Sequence, residues 1–136
     1  GQVASFHPVI ASQPGGITDG FYTFAQFDTP SKSSCSEEIC NWIDKYESLF
    51  GNTPNIGSAY GYMYMDVTAR ALEIAGHDLT TDSFITALES IKDYKIPFGE
   101  SILSWGPEKH LGANDAFLFV VQDGKFVQVD DVMYTY

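Results

Sequence analysis

Two thiols, Cys35 and Cys40, stand five residues apart in "SSCSEEIC" and are the first groups of this 136-residue sequence that could do chemistry. Inside a regular helix that spacing puts the sulfurs too far apart to bridge, and two unpaired thiols are expected. If the helix starts at Ser36, Cys35 falls outside it and a local disulfide becomes possible. A thiol at a helix N-terminus can be made acidic enough to act as a nucleophile. No recognisable base partner accompanies Cys35, so catalysis by it is not expected. His7, His77 and His110 show no metal-ligand spacing, so neither a metal nor another cofactor is expected. Each histidine reads as a solvated or hydrogen-bonded surface residue. The carboxylate pairs Glu37–Glu38 and Asp130–Asp131 lie in polar surroundings, where solvated charge is the expected state. The sequence has no GxSxG, no glycine-rich phosphate loop after a strand and no HExxH. The expectation is a protein that is not an enzyme.

The stretch "SAYGYMYMD" (58–66) poses a different question, because three tyrosines and two methionines crowd six consecutive positions. At helical spacing Tyr60, Met63, Tyr64, Val67 and Ala71 form one apolar stripe, and Tyr62, Met65, Ala69 and Leu72 form a second. Asp66, Arg70 and Glu73 make the one polar stripe, with Asp66 and Arg70 at the i,i+4 pairing distance. A helix apolar over most of its circumference packs on two sides. Most of this surface is therefore core. Tyr60 differs, because a side chain in the first turn can look past the helix end.

The elements that must position these groups follow from pattern. Residues 1–19 are loop-like, with "QPGG" a turn and a short helix before it. Phe21–Phe27 reads as a buried strand, followed by the Pro30-containing linker 29–34. Ile39, Trp42, Ile43, Tyr46, Leu49 and Phe50 mark a helix opened by Glu37 and Glu38 and closed by Gly51. A second helix starts with Ser58 as N-cap. A third runs from Thr81 to Tyr94. After a short strand at Ser101–Trp105, "AFLFVVQDGKFVQV" is a β-hairpin turning at Asp123–Gly124. The composition agrees with one α/β domain, since 44% hydrophobic and 15% aromatic content is too rich for a disordered chain. A net charge of −11, with only seven scattered Lys and Arg, argues against a nucleic-acid partner. No apolar run reaches bilayer-spanning length, and no signal peptide opens the sequence.

The order of the segments carries more than any one motif. "ITDGFYTFAQFDTP", a helix ending in "YESLFGNTPN", "SAYGYMYMDVTARALEIAG" and "IPFGESILSWGPEKHLGANDAFLFVVQDGKFVQV" follow one another over about 110 residues. This resembles the C-terminal part of the type I periplasmic substrate-binding proteins of the branched-chain amino acid (Leu/Ile/Val) class, which serve ABC transporters. Met65-Asp66-Val67 matches the family's "YDA"-like step, with Met in place of Tyr. Ile96 to Val129 matches its "tP.G...f....H.G" stretch and final "dGkf.v" strand pair.

The resemblance implies that the chain is a piece of a two-lobe, Venus-flytrap α/β protein, contributing three helices, a strand and a C-terminal hairpin. Residues 1–27 and 115–136 would belong to one lobe and residues 31–105 to the other, with hinge crossings near 25–30 and 106–115. It implies an extracytoplasmic, periplasmic solute-binding component of an importer. Its partners would be a small amino acid, carboxylate or amide in the interlobe cleft and a membrane permease. The signal peptide would lie in the missing N-terminal part, and an isolated piece would tend to self-associate. Tyr60 holds the position of an aromatic that lines the family's ligand pocket, and Gln2, Ser5 and Phe6 would lie near a cleft loop. The helix N-terminus beside Tyr60 would favour a carboxylate. A cytoplasmic ligand-sensing regulator of the same fold is the alternative, and a small unrelated α/β enzyme a more distant one.

Overall fold

Pro8 opens a one-turn helix, α1 (Pro8–Ala11), because His7 caps it: Val9 N–H donates to His7 Nδ1 at 3.2 Å. The computed structural model describes residues 3–135. The chain then runs through β1 (Tyr22–Ala25), three long helices α2 (Glu37–Phe50), α3 (Ile56–Ala75) and α4 (Thr81–Ser90), the two-residue strands β2 (Tyr94–Lys95) and β3 (Ile102–Leu103), and the strands β4 (Asp115–Gln122), β5 (Lys125–Gln128) and β6 (Tyr134–Thr135). It is an α/β fold, with every described strand pair antiparallel.

β4 is the middle strand of the sheet order β1–β4–β5, and β6 pairs with its first two residues. In β1 the period-two alternation expected of a strand is complete: Thr23 and Ala25 are buried, while Tyr22 and Phe24 are exposed. β4 is covered more fully, with Ala116, Phe119, Val120 and Val121 all buried. Asp123 and Gly124 take φ of 50° and 75° between the paired residues Gln122 and Lys125. That is the two-residue turn the dipeptide favours, since both positions need φ > 0. The second part of the fold is helical. Met63, Val67 and Ala71 of α3 share a core with Ala87 of α4, Ile91 and Leu103.

Four sequence expectations need correction. Cys35 and Cys40 are not unpaired; they form a disulfide with Cα atoms 5.4 Å apart. The reason is the helix start: Ser36 is the N-cap, so Cys35 sits outside α2, where its Cβ can turn back to the first turn. Ser58 is not the N-cap of α3. Asn55 caps, and Ser58 answers from the third helical position, each side chain accepting the other's backbone N–H. α4 stops at Ser90 rather than Tyr94, because Ile91 goes extended and Asp93 takes φ 51° to turn the chain into β2. The strand expected at Ser101–Trp105 is only Ile102–Leu103, pairing with β2.

The connection between β1 and α2 is packed rather than loose. Phe27 is 2% exposed, with its ring 4.6 Å from Tyr60 and 5.6 Å from Phe98. A Cβ on Gly99 would lie 2.9 Å from the Phe27 Cβ and 3.2 Å from the Gln26 carbonyl oxygen. Beyond it, Lys32 bridges Asp44 and Glu47 of α2 at 2.7 Å each, and the two hydrogen bonds push its pKa up to about 12. Gly99→Ala should destabilise the fold by about 1–3 kcal/mol through overpacking against a backbone that cannot retreat. A urea-melt midpoint equal to that of the parent protein would show that the contact has slack.

Candidate functional site

A cleft of about 980 Å³ opens between the sheet and the helices. Phe24 and Gln26 of the β1 segment, Asp115 and Ala116 of β4, and Tyr134 and Thr135 of β6 form one wall. Tyr60, Met63, Tyr64, Val67 and Thr68 of α3 face them, with Leu88, Leu103, Trp105 and the loop 111–113 closing the end. The outward set of β1 reaches this wall by the same alternation that buries Thr23 and Ala25.

Tyr60 is half-buried, one turn into α3, and its ring is held between Phe27 at 4.6 Å and Tyr64 at 5.9 Å. Trp105 is fixed by its backbone: its N–H donates to the Ile91 carbonyl at 3.1 Å, and its own carbonyl accepts from Lys92 Nζ. The chain at Gly112 lies directly on the indole, where a Cβ would come within 2.6 Å of the ring. Only glycine lets that loop settle there. The lining is mostly hydrocarbon and aromatic surface, and Asp115 is its one charged residue among those described. Among the described lining residues, none pairs a nucleophile with a base. Such a surface can hold an apolar body and orient it by a few polar atoms.

Of the residues singled out from sequence, Tyr60 stands in this wall. Ser5 and Phe6 do not line it. Ser5 Oγ shares a 3.0 Å hydrogen bond with Thr23 Oγ1, and Phe6 is 1% exposed between Phe119 and Phe126, its ring 4.6 and 4.5 Å from theirs. Gln2 lies outside the described residues. Sequence reasoning missed Trp105, Gln26 and Asp115. Gln26 could have been found by extending the outward period of Tyr22 and Phe24, whereas Trp105 and Asp115 flank an irregular loop with no period to read. The histidines are surface groups: His110 meets Glu89 at 3.3 Å, and His77 is exposed. No group of three potential metal ligands occurs among the described residues. Nor is any described helix long and apolar enough to cross a membrane.

Behind the cleft, a polar clamp ties α3 to β2. Tyr94 Oη donates to Asp66 Oδ2 at 2.9 Å, and Arg70 Nε donates to the same oxygen at 2.9 Å. The guanidinium lies 5.1 Å over the Tyr94 ring. Burial first, and then the bond to Asp66, raise the Tyr94 pKa well above its ordinary value. This clamp borders a second, more polar hollow of about 630 Å³ beside the 28–36 linker and the 95–100 loop.

A helical unit joined through a packed crossover to an antiparallel sheet, with an apolar cleft between them, defines part of a type I periplasmic-binding-protein fold. The sequence matches the periplasmic binding protein family over residues 3–125, and the chain belongs to that family. Solved structures agree on the fold. A branched-chain amino acid ABC transporter protein from Thermus thermophilus with bound valine superposes with a TM-score of 0.76 at 16% identity, covering 96% of this chain and 37% of that one. A leucine binding protein from Thermotoga maritima gives 0.65 at 16% identity, covering 94% and 34%. A solute binding protein of an ABC transporter from Rhodopseudomonas palustris, in complex with 3,4-dihydroxybenzoic acid, gives 0.65 at 20% identity, covering 95% and 34%. The chain thus spans little more than a third of the length of these proteins. No curated protein matches it in sequence.

The clamp predicts a pH signature. The folded protein keeps the Tyr94 proton to higher pH than the unfolded chain, whose tyrosine ionises near 10. Its contribution is therefore present in full below about pH 10 and is lost as pH rises toward the folded-state value. Tyr94→Phe should cost about 1–3 kcal/mol at neutral pH, the scale of a hydrogen bond to a charged group. The gap between the two proteins should narrow above about pH 10. Denaturant melts at pH 7 and pH 10.5 check this, and a constant gap would refute it.

Proposed function

We propose that the chain is the C-terminal part of an extracytoplasmic solute-binding protein that delivers a small molecule to an ABC importer. One lobe would hold residues 1–27 and 115–136 and the other residues 31–105, with the crossings near 25–30 and 106–115 taking up the rotation as the lobes close. The observation that carries this reading is the composition of the cleft: its two walls come from these two groups of residues, Tyr60 and Trp105 standing on the 31–105 side, with loop 111–113 of the second crossing closing the end. A volume of about 980 Å³ is at the upper end of the range for small-molecule sites and leaves room for contacts from the remainder of a two-lobe protein.

The relatives' ligands, valine in one and 3,4-dihydroxybenzoic acid in another, suggest the class: a small amino acid, carboxylate or amide with an apolar or aromatic body. No catalysis is involved. Binding would close the lobes, and the membrane permease would read the closed shape. The Cys35–Cys40 disulfide supports an oxidising, extracytoplasmic compartment over the cytoplasmic regulator of the same fold, where thiols stay reduced. The surplus apolar surface of α3 fits a chain shaped to meet more protein: Tyr62, Met65 and Leu72 are 45%, 66% and 42% exposed. Left uncovered, such a surface favours self-association.

Calorimetry on the full-length protein tests the reading, with L-valine, L-leucine, benzoate and 3,4-dihydroxybenzoate as probes. At least one should bind saturably. Tyr60→Ala should weaken that binding by about 1–3 kcal/mol while leaving the fold intact, the usual scale for a lost aromatic contact. An unchanged Kd would remove Tyr60 from the site.

A further inference from the structure

We infer that the cleft selects a solute bearing a planar aromatic ring over a saturated ring of similar size, with Trp105 as the specificity-determining residue. This deepens the solute-binding reading above and rests on it. Five aromatic side chains line the cleft: Phe24 and Tyr134 on the sheet wall, Tyr60 and Tyr64 on α3, and Trp105 at the end. All five keep accessible surface. Phe24, Tyr64 and Tyr134 are 40%, 60% and 38% exposed, and Tyr60 and Trp105 are half-buried. A solute in the cleft therefore meets rings on both walls.

The wall rings come in pairs. Phe24 and Tyr134 meet edge to face, with centroids 5.6 Å apart and planes at 68°. Tyr60 and Tyr64 stack at 5.9 Å and 27°. Trp105 is the best-seated ring of the five. Its N–H donates to the Ile91 carbonyl, its carbonyl accepts from Lys92 Nζ, and a Cβ on Gly112 would lie 2.6 Å from its Cζ2 and 2.8 Å from its Cε2. The indole cannot retreat toward that loop. Area alone argues for the opposite preference, because a cyclohexyl ring has more apolar surface to bury than a phenyl ring. Fixed rings reverse the order. A phenyl ring can lie offset on a neighbouring face or turn its edge to it, which adds about 2- to 10-fold in affinity per ring contact beyond the buried area. A puckered, saturated ring has neither a flat face nor a ring quadrupole to offer.

Matched probes isolate planarity at constant charge: benzoate against cyclohexanecarboxylate, and L-phenylalanine against L-cyclohexylalanine. Full-length wild type, Trp105→Phe and Trp105→Leu are titrated calorimetrically with all four, and with L-valine and L-leucine as aliphatic controls. In at least one pair, wild type should bind the aromatic member about 10-fold or more tighter. Trp105→Phe should retain most of that preference. Trp105→Leu should cut it by about 3-fold or more, by weakening the aromatic member in particular. Where circular dichroism shows that Trp105→Leu does not fold, Tyr64→Leu, at an exposed position of the same lining, carries the comparison. Binding of the aliphatic controls or of the saturated members with no aromatic preference overturns the inference and leaves the solute-binding reading standing. An unchanged preference in the leucine variant, or equal weakening of both members of a pair, does the same, because it shows that only area was lost. If none of the six binds wild type, the solute-binding reading falls for these classes, and the inference falls with it.

Discussion

The burial of Phe27 is the constraint on which the rest of the arrangement depends. The chain leaves β1 at Ala25 and must cross to the helical part, and it does so with a ring that is almost wholly enclosed. Phe27 touches Tyr60 of α3 and Phe98 of the 96–99 loop, and Phe98 in turn meets Trp42 of α2 and Tyr62 of α3. One side chain thus gathers two helices and a loop around the point where the sheet ends. Because Tyr60 is part of that cluster, its placement in the cleft wall is a consequence of the crossover's packing. An aromatic cluster of this kind supplies large apolar area with defined ring geometry, which is what a fixed wall requires.

The helices meet that constraint by unequal means. α2 is amphipathic and closes on Gly51 at φ 69°, so its position follows from one buried stripe. α3 carries apolar residues around most of its circumference and gains direction from polar contacts at its start and along its middle. Asn55 and Ser58 fix where it begins; the Asp66–Arg70–Tyr94 clamp fixes its azimuth against β2. With its rotation set this way, Met63 and Val67 are buried where the core meets the cleft wall, and Tyr60, Tyr64 and Thr68 border the cleft beside them.

What could be read from sequence was what repeats or what a single dipeptide decides. The α2 helix followed from six apolar residues at helical spacing, and the terminal hairpin from Asp123–Gly124 between two apolar runs. The misreadings share a cause: one or two residues tipped a choice that periodicity cannot see. Asn55 and Ser58 are both good caps, and only their reciprocal bonding shows which one leads. Ile91 continues the α4 stripe, yet Asp93 at positive φ ends the helix. Whether Cys35 and Cys40 can join turned on a one-residue shift in where α2 starts. β2 and β3, at two residues each, are too short to carry any alternation. At the candidate site, Tyr60 was reachable through the family resemblance, but Trp105 and Asp115 border the loop that had no pattern. Their placement depends on Gly112 lying against an indole, a long-range fit that no local window contains.

The seating of that indole gives the molecule a built-in optical division. The sequence contains two tryptophans, Trp42 and Trp105. Trp42 is enclosed by Tyr46, Tyr62 and Phe98 on the far side of α3, whereas Trp105 borders the cleft beneath Gly112. The emission of the first reports on the aromatic cluster around the crossover, and the emission of the second on whatever enters or dries the cleft. A substitution of either one therefore separates events in the cleft from rearrangements of the joint, with no label added to the protein.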